Sequence, residues 1–307
     1  MERPAKGSLR ADLALVGLMA VWGTTFPIVR VAFRGDHPAA SPLAFVAARM
    51  ALAVAMLAAW LALRERASLA AMFTRAALRP GGIVRDGAIV GALLAVGFLL
   101  QNEGAARTTA SRSAFLTGLL VPLVPLFEAA LFKRPPRRSS VFAVGLAFAG
   151  VALLTSPWDA GAGATAAGDA LTVACAVVFA LHINALGRFA PRHGAKALVL
   201  VQLTCVALAA SVVGPLVETP HLEPRPALGL ALAYMAVFAT VLAFSVQAWS
   251  QQRTTPVRLA LISALEPLFA ALFSAFALGE RLGPAGYVGG ALIVGGIVVG
   301  ELGAVGV

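Results

Sequence analysis

The chain alternates long apolar runs with short polar knots, and the runs set its architecture. Ten of them are long enough to cross about 30 Å of hydrocarbon as helix, near residues 11–31, 42–63, 86–106, 110–132, 139–155, 168–189, 196–216, 226–249, 256–278 and 284–303. The knots "RGDHPAASP", "KRPPRRSS", "SPWDAGAGATAAGD", "RFAPRHGAK" and "VETPHLEPRP" concentrate the Pro, Gly and charge that turn a chain. Run five is short, and Arg49 interrupts run two. The pattern predicts an all-α integral membrane protein of ten transmembrane helices.

Composition strengthens that reading. Charged residues make up 12% of the chain and apolar ones 60%, where a soluble domain has roughly 25% charged. The net charge of +10 is spread over short loops and builds no single basic face, so nucleic acid is not an expected partner. Lys and Arg accumulate in cytoplasmic loops. With the N-terminus cytoplasmic, seventeen of the 24 fall on that side, six on the other, and Arg49 inside run two. Both termini of this multi-pass chain are therefore expected on the cytoplasmic side of the cell (inner, cytoplasmic) membrane. Cys175 and Cys205 lie inside apolar runs, where thiols pack as small hydrophobes. The first run follows "MERPAKGSLR" with no small-x-small cleavage site after it, and reads as an uncleaved anchor. In "RASLAAMFTRAALRP", Leu69, Met72, Phe73 and Ala76 have the spacing of an interfacial helix.

One short stretch recurs. "RTTASRSA" from Arg107 and "RTTPVRLA" from Arg253 agree at five of eight positions. The same ungapped shift of 146 pairs Phe98 with Phe244, Gln101 with Gln247, Leu119 with Leu265 and Gly150 with Gly296. A shift of 157 sets "VWGTTFPI" in run one against "VFALHINA" in run six. The repeat is thus five helices long, spanning 11–155 and 168–303. An odd number of spans makes the second copy enter the bilayer from the opposite face, which is the inverted arrangement of many transporters. Each Thr-Thr pair leads into a span, and Thr108 and Thr254 are candidates to cap it, the capping residue itself being left open.

"AVWGTTFPIVR", "PLAFVAARMALA", "TTASRSAFLTGLLVPLVPLFEAALFKRPP" and "LISALEPLFAALFSAFALGERL" together resemble the EamA-type transporters of the drug/metabolite transporter superfamily. The resemblance covers nearly the whole chain as two tandem EamA units. It implies a ten-helix inverted-repeat fold and secondary transport, commonly export, of small metabolites, amino acids or drugs. It does not imply a particular substrate.

Polar groups inside hydrocarbon cost roughly 2.5–3.5 kcal/mol for a central Arg or Asp, so those present mark interior faces. Glu266 lies near the middle of run nine; it reads as a proton or cation site, or as a structural carboxylate ahead of Pro267. Arg49 reads as a bidentate anchor for an anionic group or as a lock between spans, and the structural role is favoured because EamA units with unrelated substrates share a similar Arg. In run one, Pro27 removes a donor to Gly23, and Trp22, Thr24 and Thr25 beside it make a cavity wall or a packing kink with back-bonded hydroxyls. His182 and Asn184 stand opposite Thr25 and Pro27 in the repeat. Gln101 and Gln247 read as pathway residues, or as interhelical hydrogen bonds worth about 0.6 kcal/mol each. Glu103 and Arg107, near a span end, read as an interfacial pair. The glycines of run ten allow close contact with run five or with a second copy of the chain, as in a homodimer.

Other function classes lack their motifs. There is no G-x-x-x-x-G-K-[ST] loop for an ATP-driven pump and no H-E-x-x-H for a metalloprotease. The four histidines stand alone and no aspartates pair within runs, so an enzyme, a cofactor and a metal are not expected. The expected partners are a small-molecule substrate, the lipid bilayer and protons. A non-transporting scaffold or receptor-like protein is the alternative, and the polar residues at mid-run argue against it.

Overall fold

A computed structural model of the chain describes residues 8–33, 39–105, 107–108, 110–133, 135–156, 165–278 and 283–305. Arg34, His37, Arg134 and Arg281 lie outside the described residues, as do the side chains of Pro27, Arg30 and Arg112. The helices are α1 (Ser8–Phe33), α2 (Pro42–Arg64), α3 (Arg66–Ala71), α4 (Ile83–Ala105), α5 (Ala110–Gly118), α6 (Leu120–Phe132), α7 (Arg138–Thr155), α8 (Ala166–Phe189) and α9 (Ala195–Val217). They continue with α10 (Pro226–Ala236), α11 (Ala243–Gln251), α12 (Pro256–Ser263), α13 (Leu265–Leu278) and α14 (Pro284–Val305). Among the described residues there is no strand, only an isolated bridge between Ala40 and Leu222. Among the described residues, eight helical stretches are long and apolar enough to cross a membrane, and Pro284–Gly300 is a shorter apolar one.

Local chemistry sets the boundaries. α2, α10, α12 and α14 each begin on a proline, whose missing N–H costs nothing at the first helical position. Thr165 caps α8 by accepting from the Gly168 amide at 3.0 Å, and Thr255 caps α12 through the Arg258 amide at 3.2 Å. The capping residue of the second motif is therefore Thr255; the Thr254 hydroxyl is buried without a partner.

Two of the apolar stretches are broken midway. α5 passes to α6 at Leu119, and α12 to α13 at Ala264. In each case the amide at the break turns back to the carbonyl three residues earlier, Leu116 at 3.2 Å and Leu261 at 3.2 Å. Proline explains both: Pro122 and Pro267 are third in α6 and α13, where a helix tolerates proline, but neither can donate to the carbonyl four residues back in α5 or α12. A third irregularity joins α10 to α11, where Val237–Leu242 is π-helical and the Thr240 hydroxyl donates to the Met235 carbonyl, five residues back, at 2.8 Å. By contrast, α1 is unbroken through position 27.

Packing follows a regular scheme. α7 lies against α14, α2 against α9, and α6 against α12; α1 packs on α13 and α11, while α8 packs on α6 and α4. The α7–α14 contact is backbone to backbone: a Cβ on Gly289 would lie 2.6 Å from the Gly150 oxygen, and one on Gly296 2.7 Å from the Ala143 oxygen. These glycines of the last run are thus used within the chain, against run five. The stretch after α2 is a short α3 and a 3-10 turn, Arg75–Leu78, in place of one continuous interfacial helix. Leu69 and Met72 pack inward, while Phe73 and Leu78 are exposed.

Candidate functional site

Four helices contribute rings to one ladder. Trp22 of α1 meets Phe244 of α11 edge-on at 5.8 Å, Phe244 meets Phe98 of α4 at 6.5 Å, and Phe98 meets Phe179 of α8 edge-on at 6.0 Å. Such offset and T-shaped geometries add roughly 0.5–1.5 kcal/mol per pair beyond area burial. The repeat relates the two ends: Trp22 corresponds to Phe179 at a shift of 157, and Phe98 to Phe244 at 146. The outer pairs therefore exchange with each other, and the central contact joins two equivalent residues. Sequence reasoning had Trp22 and the Phe98–Phe244 match in hand but not the assembly, because these rings come from distant parts of the chain.

Arg49 of α2 is 8% exposed, with its guanidinium 5.5 Å from the centroid of the Phe98 ring. Its Nε is buried without a hydrogen-bond partner, and no ion pair joins it to any described carboxylate. A cation–π contact returns roughly 0.5–2 kcal/mol, less than the roughly 2.5–3.5 kcal/mol that a central Arg costs in a membrane helix. The lock between spans expected of Arg49 has no partner to close on among the described residues. Aligned by their first residues, α2 and α9 put Arg49 opposite Gln202, a fully buried side chain that accepts from His182 Nε2 at 3.1 Å.

Span-one hydroxyls are committed locally. Thr24 donates to the Val21 carbonyl at 2.6 Å and Thr25 to that of Trp22 at 2.7 Å. With its one proton used, Thr24 accepts from the Tyr234 hydroxyl of α10 at 2.6 Å. Trp22 Nε1 donates to the Ala239 carbonyl at 3.1 Å, in the π-helical turn, an irregularity frequent at functional sites. α1 approaches α13 closely here: a Cβ on Gly23 would sit 2.6 Å from that of Phe269.

The remaining candidates are dispersed. Asn184 donates to Ala180 at 2.9 Å and across to Val124 of α6 at 3.2 Å, leaving its buried Oδ1 unpaired. Gln247 is buried with an unpaired Oε1, and Gln101 is half-buried. Glu266, in the first turn of α13 just past the break, is partly exposed and makes no hydrogen bond or ion pair among the described residues.

Polar contacts tie the helix ends. At one end Asp12 of α1 pairs with Arg258 of α12 at 2.7 Å, Asp86 of α4 with His193 at 2.9 Å, and Glu65 with Lys196 at 2.5 Å. At the other, Thr108 donates to Asp169 of α8 at 2.6 Å, Arg107 pairs with Glu103 at 2.7 Å, and the Ser41 amide donates to the His221 carbonyl at 3.0 Å. Asp12 and Asp169 correspond at the shift of 157, and Thr108 and Arg258 belong to the two copies of the repeated motif. Each copy therefore holds the aspartate that opens the first helix of the other half.

The chain matches the EamA-like transporter family over residues 9–156 and again over 166–300. It is 28% identical over 294 residues to an uncharacterized transporter of Archaeoglobus fulgidus, covering 96% of this chain and 86% of that protein. A crystal structure superposes with a TM-score of 0.79 at 21% identity, covering 98% of this chain and 100% of the other; that likeness concerns the fold.

Proposed function

Since the chain belongs to the EamA-like transporter family, in two tandem units, we propose that it is a secondary transporter exporting a small molecule across the cytoplasmic membrane by alternating access. The substrate is drawn from small metabolites, amino acids or drugs, and both termini lie in the cytoplasm. Its ten spans are α1, the eight long apolar stretches, and α14, arranged as two five-helix repeats, 11–155 and 168–303, of opposite orientation. Inversion is supported by contacts that exchange between halves: α1 on α13 with α8 on α6, and α4 on α8 with α1 on α11. The matching breaks ahead of Pro122 and Pro267 support it as well.

The observation that carries this reading is the ring ladder with Arg49, a cluster assembled from both halves that a passive scaffold would not need. Trp22, Thr24, Thr25, Arg49, Gln101, His182, Asn184, Gln247 and Glu266 are the substrate-binding or coupling residues. Rocking of the halves opens the cluster to one face and then the other, with the Asp12 and Asp169 clasps holding the closed side. Glu266, without a partner among the described residues, takes up a proton on one side and releases it on the other. The test is counterflow in liposomes bearing the purified protein, with amino acids, polyamines, sugars and cationic dyes, with and without a pH gradient. Flux of at least one class is expected, and Glu266→Gln should abolish its dependence on the gradient. Absence of flux for every class would favour the scaffold, and unchanged coupling in Glu266→Gln would remove the proton role.

A further inference from the structure

We infer that Arg49 is the anchor for a single carboxylate on the transported molecule, so that the substrate class is an apolar body carrying one carboxylate. The inference rests on the transporter reading above. A guanidinium is always protonated and presents donors in a planar fork. Inside α2 it is 8% exposed, its Nε has no acceptor, and it makes no ion pair or hydrogen bond with the described residues. The acids paired to basic groups, Asp12, Glu65, Asp86, Glu103 and Glu223, are all engaged elsewhere. Contact with Phe98 at 5.5 Å offsets only part of what dehydrating the charge costs. With no described carboxylate beside it, the counter-charge is supplied by the substrate, and a carboxylate matches the fork with two parallel hydrogen bonds.

The surroundings narrow the class. Gln202, the position matching Arg49 in the other half, is neutral and bonded to His182, so the repeat supplies no second cation. One positive group suits a monoanion; a phosphate dianion would keep an unbalanced charge in a poorly solvated place. The guanidinium lies over the Phe98 ring, from which Phe244 and then Trp22 continue as an aromatic ladder, a setting that suits an apolar body. An amine in the same place would set like charges together.

The test uses the full-length purified protein in detergent, followed by thermal melting with phenylacetate, hexanoate and indole-3-acetate, each beside its amide and its amine. At least one acid should raise the melting temperature with concentration, and its amide and amine should not. Arg49→Lys should weaken that protection about tenfold, as the bidentate geometry is lost, and Arg49→Gln should abolish it. Without ligand, Arg49→Gln should melt at or above the wild-type temperature, since an uncompensated buried charge has been removed. Protection by no acid, equal protection by amide or amine, or protection that persists in Arg49→Gln each overturns the anchor. So does a ligand-free Arg49→Gln that melts well below wild type, because Arg49 is then a structural lock. Liposome counterflow separates the two readings: equal flux of an amine through wild type and Arg49→Gln sinks the anchor and leaves transport standing. Binding of an acid without flux of any solute keeps the anchor and sinks transport.

Discussion

Gly289→Ala tests whether α7 and α14 form the rigid seam on which the rest of the bundle moves. The new Cβ would lie 2.6 Å from both the Gly150 oxygen and the Leu154 nitrogen, and 3.1 Å from the Leu153 Cβ. Two of these neighbours are backbone of α7, so no side chain can swing aside. Restoring ordinary contact near 3.4 Å needs a separation of about 0.8 Å, and gaps of 0.5–1 Å forfeit a quarter to a half of each dispersion contact. Overpacking of this kind costs roughly 1–3 kcal/mol, while alanine returns about 0.8–1.0 kcal/mol of helix propensity. The net expectation is a loss of up to about 2 kcal/mol. Gly295→Ala is the control, because nothing lies within 4 Å of its added Cβ; it should keep the propensity gain and melt at or slightly above wild type. The assay is thermal unfolding of both variants in one detergent. Gly289→Ala melting with Gly295→Ala would refute the backbone contact, and would reopen a second copy of the chain as the neighbour of the glycine face.

The clasps predict opposite biases. Asp12→Asn should favour opening at the end that carries Arg258, and Asp169→Asn opening at the other, each by roughly ten- to a hundredfold in the ratio of states if a charge-assisted bond is worth about 1.5–3 kcal/mol. Cysteine accessibility from each side of sealed liposomes reads the ratio, and equal shifts in the same direction would contradict the exchange of roles. Arg107→Cys and Arg253→Cys, both at exposed positions, should react with an impermeant maleimide from opposite sides. Labelling from one side would contradict inversion.

Much of the scaffold was legible in the sequence because it depends on short-range chemistry. Apolar run length and proline at helix starts act within a few residues, so the helix limits follow the pattern closely, whereas the breaks inside runs four and nine emerge only in the structure. The two tandem family units were legible too, through the doubled motif and through Phe98 and Phe244. Composition alone does not resolve the last run, which is apolar all round; only the fit of Gly150 against Gly289 decides which face packs and on what. The same limit applied to Arg49. Its depth in α2 could be read directly, but a missing partner is a property of everything around a group, and only the assembled helices reveal it. Trp22, Phe98, Phe179 and Phe244 likewise became a ladder through packing across the halves, including a tryptophan bond 217 positions away in the chain. Local sequence determined where helices start and stop, because hydrogen bonding and backbone sterics are local. The tertiary structure decided which side chains meet, because packing joins residues that have no relation along the chain.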